Sequence, residues 1–535
     1  MYKYIICFLT VLLEETLLHA QTGIWQWSIS VHNFSKSPQH PHSKAYLWIP
    51  ETCNQIRAVI IAQHNMEEIS ILEDKGFRDR MAKLNIAEVW VCPAFNLTFD
   101  FSDGAGETLT GILNDLAKES GYEELKNIPI IGLGHSAAAS APYYMAAYMP
   151  ERTLACISVS GQWPYFRHPS FAKDIWGNRH IDNIPCLETM GEYESAETWS
   201  TEGLKQRKEH PQLALSMLAC PAEGHFANSP SKALFLALFI EKALQYGHTD
   251  PRYKGWLAEK WSKGKTNSCC PAPVLQYKGN KDEAFWFFDE ELAQAAVKYG
   301  NRYRGLKWQL LGIKQEGKVV PQQNTHLQLH PAFIPQKDGI SFTLEPFFLD
   351  TVPSESPRPS SWTGLPAGSP IGHSNDSSSI AMYMICGPAT IHGKEFKISW
   401  NRGTSWEQTT ANITFVVYHP GDEKYRPAVQ QAQITIPVRN AEGKEQNINF
   451  TQSPNITHLT KQISLQASSS AKMLVSFYVE SGPAYIKGNH LFLTPVPPKS
   501  RYPIKITVTA WQYGKNKGEK IKTAEPVTRS FYIVK

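Results

Sequence analysis

Between about residues 45 and 247, short runs of apolar β-forming residues alternate with stretches of helical period. The runs span 58–62, 86–92, 128–133, 154–160, 185–190 and 213–219; the helical stretches span 104–120, 137–149, 198–209 and 230–246. A strand that is apolar at every position, rather than at alternate ones, is buried on both faces. Such strands separated by helices predict an α/β architecture, a mostly parallel sheet with helices on both sides. After residue 305 the period drops to two, in 307–310, 340–344, 396–400, 413–418, 434–436, 473–479 and 504–508, with turn residues between. That pattern predicts an all-β sandwich of Ig-like kind, as one domain or two small ones. A chain of 535 residues is longer than one core usually supports. The expected division is a leader at 1–20, an α/β domain at 21–262, a transitional segment at 263–375 and a β-sandwich region at 376–535. The transitional segment holds an expected helix at 281–299 and a Pro-, Ser- and Gly-rich loop at 353–370.

The first 20 residues read as a cleavable export signal: Lys3, an apolar run over 4–13 too short to span a bilayer, and small Ala20 before the cut. Localisation is therefore expected to be periplasmic or extracellular. No later stretch is long and apolar enough for a membrane span. The eight remaining cysteines are sparse and mostly lie in apolar runs, as small buried hydrophobes do, with adjacent Cys269 and Cys270 expected as free or separately paired thiols. No Cys/His cluster has zinc spacing, so neither metal nor cofactor is expected. A net charge of +4, from 53 basic and 49 acidic residues, argues against a dedicated nucleic-acid or membrane-surface binder. The 15 Trp, 22 Tyr and 24 Phe suit sugar stacking and aromatic strand cores alike.

The segment richest in chemistry runs from Ile128 to Ala138 and reads as strand, sharp turn and helix. Its Gly134-His135-Ser136-Ala137-Ala138 matches the nucleophile turn G-x-S-x-G, with Ala138 in place of the last glycine. Small neighbours are needed because such a turn is strained and presses on the next strand and helix. Downstream, the strand at 213–219 is followed by Pro221-Ala222-Glu223-Gly224-His225-Phe226, which places His225 where it can swing to Ser136. The preceding strand at 185–190 is followed by Gly191-Glu192-Tyr193-Glu194, which supplies an acid; Asp182 lies before that strand. Two N–H donors should hold a developing oxyanion: that of Ala137, and that of Asn65 or Met66 in the loop after 58–62.

Through Gly134 to Ala138, Glu194 and Gly224-His225-Phe226, residues of about 45–250 resemble the α/β-hydrolase superfamily of serine esterases. The resemblance implies the α/β-hydrolase fold and an acyl-enzyme mechanism. It favours Glu194, three residues after Gly191, as the acid, with Glu192 as the alternative. Related enzymes often carry His-Gly-Gly where this chain has His64-Asn65-Met66. A leader, a hydrolase domain and C-terminal β-sandwiches resemble secreted bacterial carbohydrate esterases, the pectin methylesterase type among them. That layout implies a polysaccharide or oligosaccharide partner and a small methyl or acetyl ester, as in pectin or acetylated xylan. A peptidase of the same fold and a non-catalytic carbohydrate-binding protein are the other readings. The loop after 154–160 should overhang Ser136, so Trp163 and Tyr165 are expected to stack on sugar and Arg167, Lys173 or Arg179 to pair with carboxylates. His64 is expected to line the same site.

Overall fold

The computed structural model describes residues 23–36, 42–170, 172–227, 229–322, 328–354 and 362–535. The expected leader at 1–20 and part of the loop at 353–370 lie outside them. Eight strands form the central sheet: β1 (Trp27–Ser30), β2 (Lys44–Trp48), β3 (Ala58–Gln63), β4 (Ile86–Cys92), β5 (Ile130–His135), β6 (Thr153–Val159), β7 (Cys186–Gly191) and β8 (Leu215–Cys220). Their order is β1-β2-β4-β3-β5-β6-β7-β8. Only β1 with β2 and β2 with β4 pair antiparallel; β3 to β8 run parallel. This is the topology of the α/β-hydrolase fold. Every residue of β3, β4, β5, β7 and β8 is buried, as continuous apolar runs require.

Among the described residues, seven helices accompany the sheet: α1 (Glu68–Leu72), α2 (Lys75–Leu84), α3 (Ala105–Ser120), α4 (Ala141–Tyr148), α5 (Ala196–Glu209), α6 (Pro230–Tyr246) and α7 (Glu290–Asn301). The α6 start follows from Ser229, whose hydroxyl accepts the Lys232 N–H, and Pro230 in the first turn. The helix expected over 281–299 is corrected: Ala284–Phe287 is a buried strand pairing with Trp256–Glu259, and α7 begins only after Asp289, which accepts the Leu292 N–H. Four consecutive apolar residues gained more from a sheet position than from extending the helix. The core of this layer continues to Tyr299.

Beyond it lie two β-sandwich cores. One gathers Phe342, Phe396, Phe415, Val417 and Ile434; the other gathers Leu491, Ile504, Ile506, Val508 and Phe531. The second sandwich covers the β1–β2 margin of the sheet. Glu480 Oε1 accepts from Tyr46 Oη at 2.8 Å and from Lys44 Nζ at 2.6 Å, and Trp25 bridges Gly482. Cys53, Cys92, Cys156, Cys186 and Cys220 are buried, Cys269 is half-buried and Cys270 exposed, and all are free thiols.

Among the buried charges that were not expected is an acid in the sheet itself. Glu88 in β4 is fully buried and accepts from Arg78 Nε of α2 at 3.0 Å. The Arg78 guanidinium lies 4.8 Å from the ring centroids of both Trp25 and Trp48. Burial pushes the Glu88 carboxyl up to about 7, with Arg78 opposing the rise. A raised carboxyl favours the folded state most below its unfolded value, and that contribution is lost as pH rises toward the folded one. Arg78→Met should therefore lower the urea unfolding midpoint more at about pH 8 than at about pH 5. At the higher pH the expected cost is about 3–5 kcal/mol, that of stranding one partner of a buried pair.

Candidate active site

The turn after β5 is built from close contacts. Ser136 has φ of +55°, the left-handed region that costs energy for any residue with a side chain. A Cβ on Gly134 would collide with the Ala138 carbonyl, and one on Gly161 with the Ala139 methyl. A Cβ on Gly132 would stand 2.7 Å from Pro142 Cα. Only hydrogens at these places let the strand meet the following turn, a 3-10 turn over Ser136–Ala138 that precedes α4.

Three elements converge on this serine. Ser136 Oγ lies 2.7 Å from His225 Nε2, and His225 Nδ1 lies 2.6 Å from Glu194 Oε2. The His225 side chain is 5% exposed and that of Glu194 12%, so the pair sits largely out of water. Glu192 goes elsewhere. It pairs with Arg426 and accepts the Ala222 N–H at 3.0 Å. Asp182 lies before β7, and no contact of it with the histidine is found.

The His225 loop is anchored residue by residue. The His225 carbonyl accepts from His135 Nε2 at 2.7 Å, and the Ala227 carbonyl accepts from Lys232 Nζ at 2.8 Å. The Glu223 carbonyl accepts the Tyr193 N–H at 3.0 Å, tying the histidine loop to the acid turn. Buried beneath them, Lys232 pairs with Glu67 at 2.5 Å and Glu223 at 3.2 Å, and Glu223 also meets Arg302 at 3.2 Å. Burial raises the Glu67 carboxyl and Lys232 pulls it back. Two acids and two bases leave this cluster neutral, which offsets the cost of desolvating each charge. Burial holds His135 well below its ordinary value, so it is neutral and donates from Nε2.

The oxyanion donors expected at Asn65 and Met66 are corrected. Their backbone N–H groups both point at Glu68 Oε2, at 3.0 and 2.8 Å, while Glu68 Oε1 takes the His135 N–H at 2.9 Å. Asn65 Nδ2 donates to the His135 carbonyl at 3.0 Å. Glu68 opens α1 fully buried, so it draws nearby N–H groups to itself. Burial still pushes its carboxyl up to about 7 against those hydrogen bonds. Ala137, directly after Ser136 in the first turn, has an N–H without an intrahelical acceptor.

Of the residues expected to stack on sugar, Trp163 is corrected, while Tyr165 is half-buried. Trp163 is 1% exposed; its ring lies between Trp199 and Phe285, and its Nε1 donates to the Trp199 carbonyl at 2.9 Å. Tyr165 rests on His210 with ring centroids 3.8 Å apart and meets the edge of Trp176. Arg167 stands 4.4 Å over Trp176 and donates to the Pro164 and Phe166 carbonyls at 2.9 and 3.1 Å. Lys173 pairs with Asp100 at 3.1 Å, and Arg179 lies over Phe101. His64 meets the edge of Trp90; burial holds it down to about 4, so it is neutral at ordinary pH.

Glu67, Glu68, Lys232, Glu223 and Arg426 were not expected. The only local signal was an acid pair, Glu67-Glu68, directly after the loop at 64–66. Among the described residues, no group of three or more His, Cys, Asp or Glu could hold a metal ion, and no helix is long and apolar enough to cross a membrane.

No family model and no curated protein matches the chain. Solved structures similar to it include a dienelactone hydrolase from Anabaena variabilis ATCC 29413, 15% identical, covering 42% of this chain and 99% of that one at a TM-score of 0.28. Est1E from Butyrivibrio proteoclasticus is 14% identical over 41% of this chain and 99% of its own, with a TM-score of 0.28. A Bacillus cereus carboxylesterase is 14% identical over 38% and 94%, with a TM-score of 0.27. The fold assignment stands on the strand order and the site on its distances.

Glu68→Gln tests the support under the turn. An amide accepts on one side only, so its NH2 must face either the His135 N–H or those of Asn65 and Met66. The variant should lose about 1–3 kcal/mol in urea unfolding, with a lower kcat for any ester the native protein cleaves.

Proposed function

We propose that this protein is a serine carboxylic-ester hydrolase. The observation that carries the reading is the continuous chain Ser136–His225–Glu194, at 2.7 and 2.6 Å, on turns that follow β5, β8 and β7. In this reading His225 takes the Ser136 proton as Oγ attacks the ester carbonyl. The Ala137 N–H receives the developing oxyanion. His225 then protonates the leaving alcohol, and an acyl-enzyme remains. Water deprotonated by His225 releases the acid and restores Ser136. Glu194 holds the ring orientation and stabilises the imidazolium without taking its proton.

The finer reading is an exported enzyme that removes small ester groups, methyl first and acetyl second, from a plant-type polysaccharide such as pectin. Its support is the leader-like sequence at 1–20, the domain layout, and the cations Arg167, Lys173 and Arg179 in the loop after β6. For a methyl ester the acyl group is the uronate and the leaving group methanol; for an acetyl ester the acyl group is acetate. The burial of Trp163 removes stacking on that ring from the argument.

Ser136→Ala should lower hydrolysis of a short-chain aryl acetate by at least about a thousandfold, as loss of a serine nucleophile does. Equal rates in both proteins would sink the esterase reading. With esterified pectin and acetylated xylan offered side by side, methanol should appear faster than acetate. Acetate without methanol would reverse the substrate preference and leave the mechanism standing.

A further inference from the structure

The two loops that carry the acid and the histidine are both gripped from outside the α/β layer. Arg426 precedes the strand Ala428–Pro437 of the first β-sandwich. Its guanidinium forms a two-pronged ion pair with Glu192, in the same short turn as Glu194, with Nη1 3.3 Å from Oε1 and Nη2 on Oε2. Both side chains are buried, at 8% and 4% exposure. The same Glu192 Oε2 accepts the Ala222 N–H, so one carboxylate joins the acid turn to the start of the histidine loop. Trp308 lies 4.0 Å from the guanidinium, and the Arg426 backbone is tied by the Lys307 carbonyl at 3.0 Å and by Gln309 Nε2 at 2.8 Å.

Five residues further along, Gln431 reaches the other loop. Its Oε1 accepts the Phe226 N–H at 2.8 Å, one residue after His225. Its amide fills the place of a Cβ at Gly224, where such an atom would stand 2.7 Å from the Gln431 side-chain carbon. Tyr193, between Glu192 and Glu194, stacks on Trp362 at 4.1 Å, and Trp362 Nε1 donates to the Tyr193 carbonyl at 3.1 Å. Phe226 packs with Ile385 and Val416 of the sandwich.

We propose that the first β-sandwich completes the active site, with Arg426 and Gln431 as positioning residues that set the Glu194–His225 geometry across the domain boundary. The proposal rests on the reading of Ser136, His225 and Glu194 as the triad. A module that only bound polysaccharide would have no need to bury a charged pair against the turn of the acid. Desolvating that pair is costly, and here it is made in a place where a shift of about 1 Å lowers a rate by about a hundredfold.

The test uses the full chain and a short-chain aryl acetate. Arg426→Met should lower kcat by about 10- to 100-fold, the usual effect of losing a group that orients a functional side chain, with KM within about twofold. Arg426→Lys, keeping the charge without the two-pronged contact, should fall between. Gln431→Met, similar in shape but without the acceptor, should lower kcat about three- to tenfold. Removing both buried charges with Glu192→Gln/Arg426→Met should recover the thermal midpoint but leave kcat low. A kcat that recovers together with the midpoint overturns the proposal, because the pair then acts on stability alone. Native kcat in Arg426→Met and Gln431→Met, beside an inactive Ser136→Ala, overturns it while sparing the triad; an active Ser136→Ala overturns the triad reading itself. If Arg426→Met does not fold, the double variant and Gln431→Met decide the matter.

Discussion

Ser136 stands at a positive φ because the atoms that would forbid it are missing from its surroundings. Gly132, Gly134 and Gly161 each face a neighbour that a methyl group would strike. A strained turn of this kind persists only where its surroundings over-determine it. Here the restraint comes from polar groups as well as packing. Glu68 receives the N–H of His135 immediately before the serine and also those of Asn65 and Met66 across the neighbouring strand end. One buried carboxylate thus clamps the ends of β3 and β5 together, and its burial is the cost of that clamp.

The same economy governs the histidine. His225 is held by its ring, between Ser136 and Glu194, and by its carbonyl, which receives His135 Nε2. Behind it the Glu67, Lys232, Glu223 and Arg302 charges cancel. Removing any one of them would leave an uncompensated charge in a low-dielectric interior. The outcome is a loop whose backbone is pinned at and beyond His225, the residue to which the proposed reaction gives the proton transfer. Such fixed geometry lowers the reorganisation needed at the moment of reaction.

Much of this was legible in the chain. The alternation of apolar runs with helical stretches located six of the eight central strands, and 86–92 and 230–246 coincide with the observed β4 and α6. The missed elements are short or polar: β1 and α1 span four and five residues, α2 holds few apolar residues, and β2 draws a partner for Tyr46 from the distant second sandwich. The expected helix at 281–299 failed because Ala284–Phe287 is apolar at every position, a pattern that periodicity alone cannot divide between strand and helix.

Sequence by itself determined the parallel sheet and the strained serine turn. Those features are written in local burial period and local turn chemistry, which neighbouring residues record. Tertiary structure alone decided where each polar group finds its partner. Glu192 and Glu194 sit two positions apart on one turn, yet one meets His225 and the other meets Arg426, 234 positions along the chain. The N–H groups of Asn65 and Met66 were available by position and taken by Glu68, and the ring of Trp163 was apt for sugar and taken by neighbouring rings. A hydrogen bond or a ring face can be used only once, and which group reaches it first depends on packing between segments that are remote in sequence.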